Sequence, residues 1–133
     1  GESRAQVDLF RVPCEILVPA ARPDCIHAGN VDAIEARLIL QGANIPCTAD
    51  AEARLHERGV VNVPDFIANA GGVICAAVEY AGGTEVQAME QIAERIRENT
   101  REVLVRSRDD HILPRLAAVE LARQRIATAM QPA

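Results

Sequence analysis

Residues 37–64 read RLILQGANIPCTADAEARLHERGVVNVP. Arg37-Leu38-Ile39-Leu40 is a short branched apolar run, which predicts a buried strand, and Gly42-Ala43-Asn44 ends it. Thr48 then predicts the cap of a helix that runs to about Arg58, carries Asp50, Glu52 and Glu57, and stops at Gly59. Val60-Val61-Asn62-Val63 is a second apolar run, closed by Pro64. A strand, a helix and a strand with connections this short predict a parallel pair joined by a right-handed crossover.

The pattern extends in both directions. Upstream, Glu15-Ile16-Leu17-Val18 is another strand, stopped by Pro19, and Pro23 and Asp24 open a short helix toward Ile34. Together these segments predict βαβαβ, an α/β fold with about three parallel strands. Residues 1–13 read as a lead-in. Downstream the chain turns helical. One helix spans Val73 to Tyr80 and breaks at Ala81-Gly82-Gly83. Thr84, followed by Glu85 and Gln87, starts a long helix to about Ser107, with Val86, Met89, Ile92, Ile96 and Val103 mostly at three- and four-residue steps. Leu113-Pro114 begins a last helix through Met130, with Leu116, Val119, Ala122 and Ile126 on one face.

Composition narrows the function classes. At 133 residues the chain is one domain or a large piece of one, able to bury a sizeable core. Aromatic residues make up only 2%, so the core falls to Ala, Val, Leu and Ile, which suits parallel strands covered by helices. The net charge is −5 and the arginines are interspersed with acids, which argues against a nucleic-acid surface. No apolar run approaches a membrane span and no signal peptide opens the chain, so a cytoplasmic location is expected. Cys14, Cys25, Cys47 and Cys75 match neither a zinc site nor a redox pair and are expected to be buried, reduced thiols. His27, His56 and His111 are far apart, and no metal site is expected. Arg95, Arg97, Arg101, Arg106 and Arg108 alternate with Glu90, Glu94, Glu98 and Glu102, as on a solvated, salt-bridged helix face. All fourteen Lys+Arg residues are arginine, so a mechanism that needs a lysine base cannot run on this stretch alone.

Ligands of open parallel sheets sit beyond the C-terminal ends of the strands. Three segments there carry unusual residues: Pro19-Ala20-Ala21, Gly42-Ala43-Asn44 and Ala68-Asn69-Ala70-Gly71-Gly72. Small side chains let a flat ring approach the backbone. Asn44 and Asn69 each offer a donor and an acceptor suited to an amide or a ribose hydroxyl. The glycine pair opens a helix whose first N–H groups can receive a polar or anionic group. Taken singly, each segment is also ordinary turn chemistry.

These segments resemble a known family. Ile16-Leu17-Val18-Pro19-Ala20-Ala21 is similar to a strand ending in P-A-A in the glutamate/leucine/phenylalanine/valine dehydrogenases. Gln41 to Thr48 resembles that family's G-A-N-x-P-x-T turn. His56-Glu57-Arg58-Gly59-Val60 and Pro64 to Val73 resemble its H-E-R-G-V and P-D-x-x-A-N-A-G-G-V segments. The matches fall in order across about residues 14 to 80. The resemblance implies the second half of a Rossmann-like, NAD(P)-binding parallel sheet over residues 14–72, followed by long C-terminal helices over 73–133, in one partial domain closest to that of glutamate dehydrogenase. It implies NAD or NADP as cofactor, an L-amino acid as substrate and a homo-oligomer. Ala20, Ala21 and Asn44 would lie near the nicotinamide and its ribose, and Asn69 near the nicotinamide end or the substrate. Val73 and Ala76 would line the substrate pocket. Ala76 departs from the serine usual in glutamate-specific members, and Val73-Ile74 follows the leucine type, so a leucine-, phenylalanine- or valine-type enzyme remains an alternative.

Two parts of the family pattern have no counterpart among these residues. His27-Ala28-Gly29-Asn30-Val31 has a single glycine and lies between two strands already assigned, so it is not the dinucleotide turn. The base lysine is absent as well. The alternative to an enzyme fragment is a free-standing binding or assembly module that kept the sheet without the reaction. The chain by itself is expected to be inactive. Incubation with NAD, NADP and a panel of amino acids should give no reduced cofactor, and measurable turnover by the pure chain would refute that expectation.

Overall fold

The computed structural model describes residues 9–131. Three short strands, β1 (Ile16–Leu17), β2 (Leu38–Leu40) and β3 (Val61–Val63), form a parallel sheet in sequence order. Ile16 pairs with Leu38 and Leu17 with Ile39; Leu38, Ile39 and Leu40 pair with Val61, Asn62 and Val63. Helix α1 (Ala49–Glu57) makes the crossover from β2 to β3. A short helix α2 (Asp65–Ala68), absent from the sequence reading, leads to α3 (Gly71–Tyr80), α4 (Glu85–Asp109) and α5 (Pro114–Ala129). The chain divides into two compact units, one ending at Asp65 and the other starting at Phe66.

The first unit is built on branched aliphatic side chains. Ile26, Val31, Ile34, Ile39 and Leu55 are fully or almost fully buried, with Phe10 and Leu17 packed against them. Ala51 and Leu55, four residues apart on α1, place that helix on the sheet. Thr48 stands at the helix start, and its carbonyl accepts from the Glu52 N–H at 3.0 Å. Its hydroxyl makes no capping bond, unlike the expected cap.

The helix expected from Pro23 toward Ile34 does not form. Asp24 takes a positive φ of 49°, and Ile26 pairs in parallel with Cys47 instead. The Ile26 N–H donates to the Pro46 carbonyl at 2.9 Å, and the Thr48 N–H donates to the Ile26 carbonyl at 3.0 Å. This extended route buries Cys25 and Ile26 and satisfies both backbone groups of Ile26 and the Cys25 carbonyl. Asn30 closes the following turn, accepting from the His27 N–H and donating to the Cys25 carbonyl. Only a 3₁₀ turn, Val31–Ala33, remains of the predicted helix. Arg58, just past α1, donates to the Val31 and Ile34 carbonyls and pins that turn to the crossover helix.

In the second unit, α4 opens with the predicted Thr84 and Gln87 in a reciprocal capping box. The helices meet on small residues. Ala88, Val103 and Ser107 are buried on α4, and Pro114, Ala117, Ala118 and Leu121 on α5. Val86, Met89, Leu116 and Ile126, expected on packed faces, are exposed. Periodicity marks every apolar position on a stripe, but close helix approach selects the alanines. The arginines pair along the chain, as Arg106 does with Asp110 at 3.5 Å, and also between helices. Arg106 of α4 reaches Glu120 of α5 at 3.0 Å, and Arg125 of α5 reaches Glu102 of α4 at 2.9 Å. Ser107 donates to the Ile112 carbonyl at 2.6 Å across the turn where His111 has a φ of 53°.

Strand β1 is an outer strand of the sheet, and Ile16 and Val18 stand exposed along it. Among the described residues no strand pairs with the outer side of β1, and a parallel edge with apolar side chains favours pairing with another chain. Light scattering of the isolated chain across a concentration series should therefore show growing association. A monomer at high concentration, with slowly exchanging Ile16 and Leu17 amides, would show that the edge is shielded.

Candidate functional site

In the first unit the ends of β1 and β2 come together at one mouth. The Ala43 N–H donates to the Pro19 carbonyl at 2.9 Å, which ties the two predicted turns. A Cβ added at Gly42 would lie 3.0 Å from the Ala20 Cβ and 3.4 Å from a Val18 methyl, so only glycine lets the segments approach this closely. Ala20, Ala21 and Asn44 are exposed at that mouth. Beside it lies an apolar hollow of about 240 Å³, lined by Leu9, Phe10, Leu17, Val18, Pro19, Ala20, Ala21, Arg22 and Cys25. Burial pushes the Cys25 thiol above its ordinary value, which keeps it protonated and poorly reactive. Cys14 is exposed and Cys75 half-buried, so only Cys25 and Cys47 meet the expectation of buried thiols.

Beneath the mouth lies a polar cluster that the sequence reading did not single out. Gln41 is fully buried, and its amide nitrogen donates to Glu52 Oε1 at 2.7 Å and to Asn62 Oδ1 at 3.0 Å. One side chain thereby joins the end of β2 to α1 and to β3. Glu52 and Asn62 are themselves buried. The Gln41 N–H also donates to the Val63 carbonyl at 3.2 Å. The available signals were a Gln at a strand end and an Asn between two valines, polar residues at positions where a parallel sheet buries side chains.

The far end of the turn is held as well. Ile45 takes a φ of 48°, a left-handed conformation that costs a branched residue on the order of 1–3 kcal/mol. Its N–H donates to Asp65 Oδ2 at 2.9 Å, and its carbonyl accepts from the Asp24 N–H at 2.9 Å. Asn44 sits between these anchors on Ile45 and the Ala43–Pro19 bond on its other side.

In the second unit, half-buried Asn69 precedes α3, which starts at Gly71, two residues before the predicted start. A Cβ on Gly71 would touch Ile92 of α4 at 3.6 Å, whereas Gly72 faces open space. Val73 is 77% exposed, and Ala76, three residues on, is exposed too, so both side chains are available to a ligand on one side of α3. Among the described residues, no three His, Cys, Asp or Glu side chains are grouped to hold a metal, and no helix is long and apolar enough to cross a membrane.

Three parallel strands in sequence order, with a helical crossover and small, clamped turns at the strand ends, define an open α/β sheet of the Rossmann-like kind. The glutamate/leucine/phenylalanine/valine dehydrogenase model matches residues 2–133, and the chain belongs to that family. It is 38% identical over 110 residues to a glutamate dehydrogenase of Aeropyrum pernix, a match covering 78% of this chain and 26% of that protein. It is 54% identical over 66 residues to an NADP(+)-dependent glutamate dehydrogenase of Pyrobaculum calidifontis, covering 50% and 16%. The chain thus spans about a quarter or less of the length of these relatives. In three dimensions it is similar to L-tryptophan dehydrogenase from Nostoc punctiforme, with a TM-score of 0.84 at 22% identity over 92% of this chain and 37% of that one. It is also similar to glutamate dehydrogenase from Peptoniphilus asaccharolyticus, with a TM-score of 0.74 at 28% identity over 85% and 30%.

If Gln41 knots the strand ends together, Gln41→Ala should destabilise the chain by about 2–4 kcal/mol, because Glu52 and Asn62 both lose a buried partner. Urea unfolding measures this, and a loss below about 0.5 kcal/mol would show the cluster to be slack.

Proposed function

We propose that this stretch forms the nicotinamide side of the cofactor site, and part of the substrate pocket, in an L-amino-acid dehydrogenase of the glutamate type. The protein would oxidatively deaminate an L-amino acid to a 2-oxo acid and ammonia, with NAD or NADP. The observation that carries this is the mouth where Ala20, Ala21 and Asn44 stand exposed over turns clamped from below. Membership of the dehydrogenase family supports it, and relatives named as NADP-specific and as NAD-specific leave both cofactors open.

Each residue has a role that its chemistry can fill. Ala20 and Ala21 present a surface flat enough for a ring to lie on. Asn44 hydrogen-bonds the ribose, and Asn69 holds either the carboxamide of the ring or the bound amino acid. Val73 and Ala76 line the pocket for the substrate side chain. When bound, the cofactor would supply the hydride acceptor, and the residues of this chain would orient it and keep water away. Proton transfer falls to groups beyond this stretch, which has no lysine. Subunits associate as homo-oligomers. Ala76 offers a methyl where a hydroxyl would hold a second carboxylate, and this favours, as a second reading, a substrate with an apolar side chain.

Kinetics of the whole protein test the assignment. Asn69→Ala should lower kcat/KM for the amino acid by roughly 10- to 100-fold with little change in melting temperature, because about 1–3 kcal/mol of hydrogen bonding acts at the site rather than in the fold. A variant that melts far earlier but keeps its rate when folded would make Asn69 structural.

A further inference from the structure

We propose that Asp65 is a positioning residue for Asn44, acting through the Ile45 amide; the proposal rests on the nicotinamide site described above. Asp65, the first residue of α2 and two residues past β3, is buried twenty residues on from Ile45 in sequence, and its Oδ2 accepts from the Ile45 N–H at 2.9 Å. That N–H belongs to the peptide plane joining Asn44 to Ile45. A carboxylate held in the protein therefore sets the orientation of the peptide on which the Asn44 side chain is mounted. The second anchor, from the Asp24 N–H to the Ile45 carbonyl, fixes the next peptide plane. Between two fixed planes Ile45 is driven to its φ of 48°.

A turn that served only to reverse the chain would carry glycine or asparagine at this φ, without strain and without a buried carboxylate. The combination of a branched residue in the left-handed region and a buried acid holding its amide is a rigid arrangement. The exposed side chain mounted directly on the held peptide plane is that of Asn44. Shielded from water, a side-chain oxygen that accepts from an N–H holds the backbone plane firmly, because breaking the bond costs a desolvated acceptor its partner. Asp65 touches neither ring nor substrate in this account, so its effect should appear in how well the cofactor is held more than in stability.

The test uses the whole protein with four variants: Asp65→Ala, Asp65→Asn, Ile45→Gly and, as a control for lost stability, Leu55→Val in the core of the same unit. Asp65→Ala should raise KM for the cofactor about tenfold with a smaller change in kcat, and Asp65→Asn, whose carbonyl still accepts from the amide, should stay within about threefold of the parent. Ile45→Gly should raise KM without lowering the melting temperature, because it removes strain and loosens the turn together. Leu55→Val should lower the melting temperature and leave KM unchanged. Asp65→Ala and Ile45→Gly with an unchanged KM, or a KM that rises equally in Leu55→Val, would overturn the proposal. Should the parent protein reduce neither NAD nor NADP with any amino acid, the dehydrogenase reading fails. Hydrogen exchange at the Ile45 amide then decides the positioning role by itself. Exchange about tenfold faster in Asp65→Ala than in Asp65→Asn supports it, and equal exchange overturns it.

Discussion

Gln41 is the point through which the first unit is joined. Its amide nitrogen lies under the strand ends and bonds Glu52 of α1 and Asn62 of β3 at once, while its own backbone continues into the turn that carries Asn44. The sheet has only two or three residues per strand, too few hydrogen bonds to fix the register of its ends unaided. A buried amide that finds both acceptors supplies that constraint, because any shift of one strand leaves a desolvated polar group without its partner. The same cost makes the cluster specific: an apolar side chain at Gln41 would tolerate many registers, and the amide tolerates one.

The mouth above this cluster combines small side chains with fixed backbone. Gly42 lets the end of β2 approach Ala20, and the bond from Ala43 to Pro19 locks the approach. Asp65 holds the Ile45 amide on the far side. Surfaces poor in side chains are usually mobile. Here the backbone is anchored from Pro19, from Asp24 and from Asp65, so that a ligand need not spend binding energy on ordering the turns. In the second unit small residues have another use. Alanines at Ala117 and Ala118 let α5 pack closely, and Arg106 and Arg125 bridge α4 and α5 at the margin, where exposed pairs add little stability.

Much of this was legible in the order of residues. Alternation of apolar runs with Gly and Pro stops gave the three parallel strands, and Thr84 with Gln87 gave the start of α4 to the residue. Pro19-Ala20-Ala21 and Gly42-Ala43-Asn44 were recognisable because small residues and amides cluster where strands end. The helix expected after Pro23 was not there, because burial of Ile26 beside Cys47 outweighed a local preference expressed over only a few residues. The apolar faces assigned to Val86, Met89, Leu116 and Ile126 failed for a related reason: periodicity locates a stripe but does not say which of its members a neighbouring helix will cover.

The sequence by itself determined the α/β class, the parallel strands, the cap of α4 and the family, since each of these is written in residues close together along the chain. Tertiary structure alone decided which polar residues became structural. Glu52 lies eleven residues from Gln41, Asn62 twenty-one, and Asp65 twenty from Ile45. In the linear chain Glu52 is one more acid on a helix, Asn62 an oddity in a strand and Asp65 the residue after a proline. They acquire their roles only when the crossover returns β3 to the side of β2, because a hydrogen bond forms over about 3 Å and has no counterpart in sequence spacing.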